Sequence, residues 1–238
     1  STQLNDEERL MSFDLAHLPR SFADLVIADP VNADIIKSYV DGPPAKPLLL
    51  AGPPGAGKTE AARVIAKSYF ASRNIQHHKW EFNGASAGKK LEELIMAEVN
   101  HQMFGNSDKA LIVINEIDEL DLRSVQPAFR EFMDDKRHLI RFVATTNHKN
   151  RIMGAMLSRF RVVDLMPPSN LDWVNRAKAI LEAEGLSPTQ NDVVLMLQNF
   201  QGSARDLIDL LEETVVTAQT AQMASRSLQN GLSGGSVK

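Results

Sequence analysis

The segment Gly52-Pro53-Pro54-Gly55-Ala56-Gly57-Lys58-Thr59 satisfies the pattern G-x-x-x-x-G-K-[ST] in full. The apolar run 48–51 precedes it and the stretch 58–70 follows it, which predicts a buried strand, a tight turn and a helix. Glycines let backbone N–H groups wrap a phosphate chain, and the start of a helix adds partial positive charge. We therefore expect these eight residues to cradle ATP, with Lys58 reaching the β- and γ-phosphates and the Thr59 hydroxyl binding Mg²⁺.

A second polar pair follows the clearest buried strand of the sequence. Asn115 and Glu116 come directly after the apolar run 111–114. This pattern is typical of a Walker B motif, where the usual pair is Asp-Glu: the aspartate holds Mg²⁺ through its water shell and the glutamate polarises the attacking water. We expect Glu116 to be the base. Asn115 can still hydrogen-bond a metal-bound water but brings no negative charge, and losses of this kind cost on the order of 10–100-fold in metal affinity or activity.

Strands and helices alternate through the first two thirds of the chain. The predicted strands are 48–51, 78–82, 111–114, 139–145 and 161–165, and the predicted helices are 32–40, 58–70, 90–103, 124–133 and 153–157. This alternation predicts an α/β fold, a parallel sheet sandwiched by helices. After Met166-Pro167-Pro168-Ser169 the pattern is helical only, over 171–184, 192–199 and 204–223.

These signals predict four regions. They are an N-terminal arm at 1–17, an α/β nucleotide-binding domain at 18–167, a small all-helical lid domain at 168–223 and a flexible tail at 224–238. The helical domain begins at the two prolines because proline cannot continue regular structure.

Composition limits the function classes. Thirty acidic residues against 26 Lys and Arg give a net charge of −4, which excludes a globally basic nucleic-acid binder but allows a local basic patch. The absence of cysteine excludes disulfides, cysteine-ligated zinc and thiol catalysis. The apolar runs are far shorter than the roughly 20 residues of a membrane helix, and the acidic N-terminus is no secretion signal. We expect a soluble intracellular protein, in the cytoplasm, nucleoid or nucleus, without a membrane partner.

Three further polar residues complete the predicted site. Asn147 ends a predicted strand and would face the γ-phosphate, since ligands bind outside the carboxyl ends of parallel strands. Arg159 follows a short helix, from which it could reach the nucleotide of a neighbouring subunit as an arginine finger. Arg205 opens a helix of the lid domain and could close onto the phosphates. Taken alone, each arginine is more often an ordinary surface residue.

In their order and spacing, these motifs resemble the AAA+ ATPases, and more narrowly the small clamp-loader subunits of the replication factor C and phage type. The segment 18–26 is similar to the family's "RPKTFDDIVG", Glu81–Ser86 to "ELNASD", and 118–133 to "DEAD…AQxALRRxME". By the same resemblance, Asn147 matches sensor 1, Ser158-Arg159-Phe160 the Ser-Arg-Cys finger, and Arg205 sensor 2.

The resemblance implies an ATP-driven machine. Other AAA+ subunits would join this chain in an arc, bind ATP between neighbours, open a sliding clamp and place it on primer-template DNA. Gln126 and Arg130 would lie in the helix that couples DNA to the nucleotide site. Ser86, Gly88, Lys89 and Lys90 would face DNA phosphates through sequence-independent, salt-sensitive contacts.

Two departures from the family keep alternatives open. Asn115 stands where the family has aspartate, so one alternative is an AAA+ assembly module that binds ATP tightly and turns it over weakly. Another is an AAA+ remodeller, such as a helicase loader, a branch-migration motor or a transposition regulator. The family's helical collar has no counterpart after Met223, which implies either a shortened chain or a different mode of assembly.

Overall fold

The computed structural model describes residues 12–42, 44, 46–75, 80–87, 90–103 and 109–233, with side chains except at residue 87 and residues 225–233. These residues form two compact units. Pro19–Pro168 forms an α/β unit, and residues 12–18 join the residues from Ser169 onward in a helical unit. The predicted arm residues 1–11 and tail residues 234–238 lie outside the described residues.

The α/β unit is built on a sheet of five parallel strands in the order β2-β3-β4-β1-β5. The strands are β1 (Leu48–Ala51), β2 (Glu81–Asn83), β3 (Ala110–Asn115), β4 (Ile140–Thr146) and β5 (Arg161–Asp164). Ala51 lies opposite Thr146 in β4 and Asp164 in β5, so these strands end at one edge of the sheet. This edge, called the carboxyl edge here, also receives the ends of β2 and β3. The predicted parallel α/β fold is confirmed.

Helices cover both faces of this sheet. The helices of the α/β unit are α2 (Pro30–Asp41), α3 (Lys58–Ala71), α4 (Gly84–Ala87), α5 (Leu91–Met103), α6 (Val125–Lys136) and α7 (Gly154–Leu157). Side chains alternate between the faces: Leu48 and Leu50 pack with α2 and α3, whereas Leu49 packs with α5, α6 and α7. Both faces of the central strands are therefore buried from solvent, which explains why their sequences are continuously apolar.

Strand β2 ends one residue later than the sequence predicts. The predicted strand covered 78–82, whereas β2 spans Glu81–Asn83. Residues 76–79 lie outside the described residues. Asn83 pairs with Asn115 at the end of β3, so β2 reaches one residue farther toward the carboxyl edge than expected. This register brings the polar residues of β2 into the candidate site.

The helical unit contains α1 (Phe13–Ala16), α8 (Val174–Ala183), α9 (Gln190–Leu197) and α10 (Ala204–Ser233). The part of the predicted arm that is described joins this unit: His17 Nε2 lies 2.7 Å from Glu184 Oε1, and Arg176 donates to the His17 carbonyl over 2.8 Å. Helix α10 continues ten residues past the predicted end at 223, through a stretch that contains no proline and a single glycine, Gly231. Within the described ranges, no helix combines the length and apolar character needed to cross a bilayer.

Candidate functional site: a phosphate loop at the carboxyl edge

The phosphate-binding loop lies between β1 and α3 and depends on backbone shapes that favour glycine. Gly57 has φ 76° and begins α3, where its carbonyl accepts from Ala61 N–H over 2.9 Å. Gly52 has φ 150°, and a Cβ there would lie 2.0 Å from the Leu165 carbonyl oxygen. Leu165 N–H in turn donates to the Ala51 carbonyl over 2.7 Å. The start of the loop is therefore pressed against the chain that leaves β5.

Substituting Gly52 with alanine is expected to lower the free energy of unfolding by about 1–3 kcal/mol, because either the loop or the chain after β5 must shift. Gly154→Ala is the matched control, since a Cβ at Gly154 has no atom within 4 Å. Denaturant unfolding followed by circular dichroism measures both. Equal unfolding midpoints for the two variants would contradict the close packing.

Lys58 is a buried cation in the first turn of α3. The residue is 6% exposed, and Nζ donates to the Pro53 carbonyl over 2.7 Å. Burial lowers the pKa of the Lys58 ammonium, and the negative charges of Asp118 and Glu116 partly oppose that lowering. A desolvated ammonium attracts an anion more strongly than a hydrated one does, so a phosphate oxygen is the ligand that best offsets its burial.

We expect Lys58→Met to abolish nucleotide binding and to raise the free energy of unfolding of the nucleotide-free protein by about 1 kcal/mol. The gain in stability is the desolvation cost of the buried ammonium, which the substitution removes, less the stabilisation from its hydrogen bond to Pro53, which is lost. The sign follows from the lowered pKa: charged Lys58 disfavours the folded state at every pH below its folded pKa. Calorimetric titration with ATP and denaturant unfolding check the two effects. Retained ATP affinity would overturn the assignment of the loop.

Asn115 is held by residues from both neighbouring strands. Its amide nitrogen donates to Glu81 Oε1 on β2, and its Oδ1 accepts from Thr145 Oγ1 on β4 over 3.1 Å. The Thr145 hydroxyl accepts in turn from Glu116 N–H over 3.2 Å. The orientation of the amide follows from its partners, since a carboxylate only accepts hydrogen bonds and the hydroxyl has its proton free to give.

The backbone of Glu116 has an unusual conformation, and a hydrogen bond fixes its side chain. Its φ of 53° is a left-handed conformation that a residue with a Cβ rarely adopts, and such conformations cluster at functional sites. Asn83 Nδ2 donates to Glu116 Oε2 over 2.8 Å. Gly84 approaches so closely that a Cβ there would lie 2.4 Å from the Glu116 carbonyl oxygen. The carboxylate is thus fixed at the carboxyl edge, where β4 separates its strand from the strand of the phosphate loop.

An open cavity adjoins the loop and fits a hydrated divalent cation. Thr59, Glu81, Asn115 and Glu116 are among the residues that line it, and we call it the Thr59 cavity. These side chains offer oxygen atoms, the ligands that Mg²⁺ prefers. In the part of the chain that is described, no three His, Cys, Asp or Glu side chains come together as a metal cage. The donor set therefore suits Mg²⁺, which keeps its waters and is held by few protein groups together with substrate phosphates.

The other two predicted contacts to the phosphates lie in different units. Asn147 is half-buried and directly follows β4, which lies between the strand of the phosphate loop and the strand of Glu116. The sheet thus brings Asn147 to the same edge as both motifs. Arg205 is exposed in the first turn of α10, in the helical unit.

Arg159 lies away from the carboxyl edge. It precedes β5, whose first residue Arg161 is opposite Leu48 at the start of β1. The four residues of β1 span about 13 Å, so Arg159 and the loop of the same chain are at opposite edges of the sheet. Its guanidinium is paired with Asp134 at 2.7 and 3.2 Å and with the Ala155 carbonyl at 2.6 Å. The hydrogen bond from Arg159 lowers the pKa of Asp134.

Sequence reasoning did not select Glu81, Asn83 and Thr145, although all three contact the Walker B pair. The available signal was their position: each stands at or near the carboxyl end of a predicted strand. The helix of Gln126 was predicted at 124–133 and spans Val125–Lys136. The Gln126 side chain is fully buried and bonds Leu120, Arg151 and Met153. Ser86 and Lys90 are exposed, and Gly88 and Lys89 lie outside the described residues.

Comparisons with known proteins agree with this geometry. Residues 48–167, half of the chain, match the model of the family described as "ATPase family associated with various cellular activities (AAA)". Replication factor C small subunit 1 of Pyrobaculum arsenaticum is 25% identical over 205 residues, which is 84% of this chain and 61% of that protein. Replication factor C subunit 4 of Caenorhabditis elegans is 25% identical over 87% of this chain and 64% of that protein. The chain thus spans only about three fifths of these relatives' length.

Solved structures share the fold at lower identity. One variant of Thermotoga maritima RuvB superimposes with a TM-score of 0.67 at 17% identity, over 87% of this chain and 67% of that chain. Domain III of the replication initiation protein DnaA from the same organism gives a TM-score of 0.61 at 15% identity, over 93% of this chain and 92% of that domain. The chain therefore belongs to the AAA family of P-loop ATPases, and its predicted resemblance to the small subunits of replication factor C is confirmed.

Proposed function

We propose that this chain is an ATP-hydrolysing subunit of a clamp-loader assembly, which couples ATP to the loading of a sliding clamp on primer-template DNA. Its partners are other AAA+ subunits, the clamp and the DNA, and its place is with replicating DNA in the cytoplasm, nucleoid or nucleus. The observation that carries the proposal is the division of the site between two sheet edges. A phosphate loop and a glutamate lie at one edge, and an arginine lies at the other, where a neighbouring subunit's nucleotide is its natural ligand. Similarity to replication factor C small subunits over most of the chain supports it.

In this proposal the residues of the carboxyl edge have separate roles in binding the phosphates, holding Mg²⁺ and activating water. Gly52–Thr59 binds the phosphates through backbone N–H groups, and Lys58 neutralises the β- and γ-phosphate oxygens. Thr59 would hold Mg²⁺ together with phosphate oxygens, and the ion would stabilise the negative charge that develops on the phosphate groups during hydrolysis. Glu116 orients and polarises the attacking water.

Residues from the other elements complete the proposed site. Asn147 contacts the γ-phosphate at the end of β4, and Arg205 is the second proposed phosphate contact. Arg159 of an adjacent subunit stabilises the transition-state charge in trans. The exposed residues Ser86 and Lys90 contribute DNA contacts to the phosphate backbone, which carry no sequence preference.

The experiment is steady-state ATP hydrolysis by the full chain with its companion subunits, alone and with the clamp, with primed DNA and with both. We expect the highest rate with both present, and a stimulation that falls as salt rises, because phosphate contacts release counterions. Unprimed single-stranded DNA is the matched control. A rate of ATP hydrolysis that changes with neither the clamp nor the primed DNA would overturn the proposal.

A second candidate is an AAA+ assembly module that uses ATP binding rather than turnover. The observation that favours it is Asn115, a neutral side chain whose two polar atoms are already bonded to Glu81 and Thr145. This candidate predicts tight ATP binding and ATP-dependent association of subunits. It also predicts that fewer than one ATP is hydrolysed for each ATP bound. Repeated turnover that Glu116→Gln removes would exclude it.

A further inference from the structure

We propose that Glu81, on the strand beside the Walker B motif, supplies Mg²⁺ with the negative charge that Asn115 lacks. This inference rests on the proposed function, since it concerns the metal that accompanies ATP. In effect the carboxylate has moved one strand across the sheet, from the end of β3 to the start of β2. Asn115 then acts as a positioning residue that holds Glu81 rather than as the charged metal partner.

The hydrogen bonds leave room for one carboxylate at this point, not two. Asn115 uses its amide nitrogen as a donor to Glu81 and its oxygen as an acceptor from Thr145. An aspartate at position 115 would have no hydrogen to donate and would set a second negative charge against Glu81. Glu81 and Asn115 therefore form a pair in which one member is charged and the other is neutral, and the charge is on Glu81.

Arg63 neutralises Glu81 only in part. Its Nη2 and Nε donate to Glu81 over 3.0 and 3.2 Å, while its Nη1 donates to Glu60 over 3.1 Å. Arg63 and Glu81 both line the Thr59 cavity, whereas Glu60 does not. One guanidinium thus divides its charge between a carboxylate inside the cavity and one outside it.

Glu81 also has the position and the acceptor capacity for the role. Its side chain is 27% exposed and lines the same cavity as Thr59. The bonds from Arg63 and Asn115 use three of the roughly four acceptor positions of a carboxylate. A metal-bound water can donate to the last one. Glu60 does not line this cavity, although it shares Arg63.

The test measures metal binding rather than hydrolysis. Mn²⁺ replaces Mg²⁺, and electron paramagnetic resonance gives the Kd of Mn²⁺ for the full chain saturated with a non-hydrolysable ATP analogue. We expect Glu81→Gln to raise this Kd about 10–100-fold. Adding Asn115→Asp to Glu81→Gln is expected to return the Kd close to that of the parent, because the pair again has one carboxylate and one amide.

Glu60→Gln is the matched control, since it removes the other carboxylate bonded to Arg63, which does not itself line the cavity. Thermal unfolding without ligand reports whether each variant is folded. An unchanged Kd in folded Glu81→Gln, or an equal rise in Glu60→Gln, would overturn the assignment of Glu81. Failure of the parent chain to bind the nucleotide analogue at all would overturn the proposed function as well, and calorimetry in the presence and absence of the metal separates these two results.

Discussion

Replacing Arg159 with alanine is expected to lower ATP turnover by about 10³–10⁵-fold and to leave ATP binding unchanged. The loss is large because an arginine finger acts on the charge of the transition state. ATP binding is unchanged because the arginine finger and the phosphate loop of one chain lie at opposite edges of the sheet. Steady-state hydrolysis and calorimetric titration of the assembled complex with ATP measure the two quantities separately.

Two comparisons make the Arg159 experiment specific. Arg151→Ala removes another exposed arginine that is paired with a carboxylate, that of Glu119, and is expected to keep the parental rate. Mixing the Arg159→Ala chain with the Lys58→Met chain should restore part of the turnover, because some interfaces then combine an intact loop with an intact finger. Parental hydrolysis by Arg159→Ala alone would show that the residue is not the finger.

Glu116→Gln is expected to reduce turnover by about 10²–10⁴-fold, the usual contribution of a general base. Glutamine has nearly the same shape and can still accept the hydrogen bond from Asn83, so the change removes charge and basicity rather than structure. ATP should stay bound in a stable complex. Single-turnover hydrolysis of prebound ATP measures the effect on the chemical step.

Glu119→Gln is the control for Glu116→Gln, since Glu119 lies three residues away and pairs with Arg151 at the surface. It is expected to hydrolyse ATP at the parental rate. If Glu116→Gln also keeps that rate, the base is another residue, and the constrained backbone of Glu116 needs another explanation.

The sequence predicts the fold because its signals are local. A four-residue apolar run, a glycine-rich loop and a helix follow each other directly, and the buried strand β3 lacks polar residues before Asn115. Such signals indicate element type without knowledge of the partners. The end of α10 was misplaced because the stretch after Met223 contains polar residues that are compatible with either a helix or a tail.

The hydrogen bonds of the candidate site depend on the order of the strands instead. Glu81, Asn115 and Thr145 meet because β3 lies between β2 and β4, and hydrophobic periodicity does not specify that order. The sequence identified Asn115 as an unusual residue but could not indicate that a carboxylate on another strand is bonded to it. Where Arg159 lies relative to the loop also follows from strand direction and register alone.

The contact between Gly52 and Leu165 also couples the phosphate loop to the far end of the α/β unit's sequence. Leu165 N–H donates to the Ala51 carbonyl directly before Gly52, and Met166, Pro167 and Pro168 complete the unit. The two prolines have a fixed φ, so the backbone after Leu165 has little freedom to yield. A displacement of Gly52 toward or away from a nucleotide must therefore also displace the backbone that leaves β5.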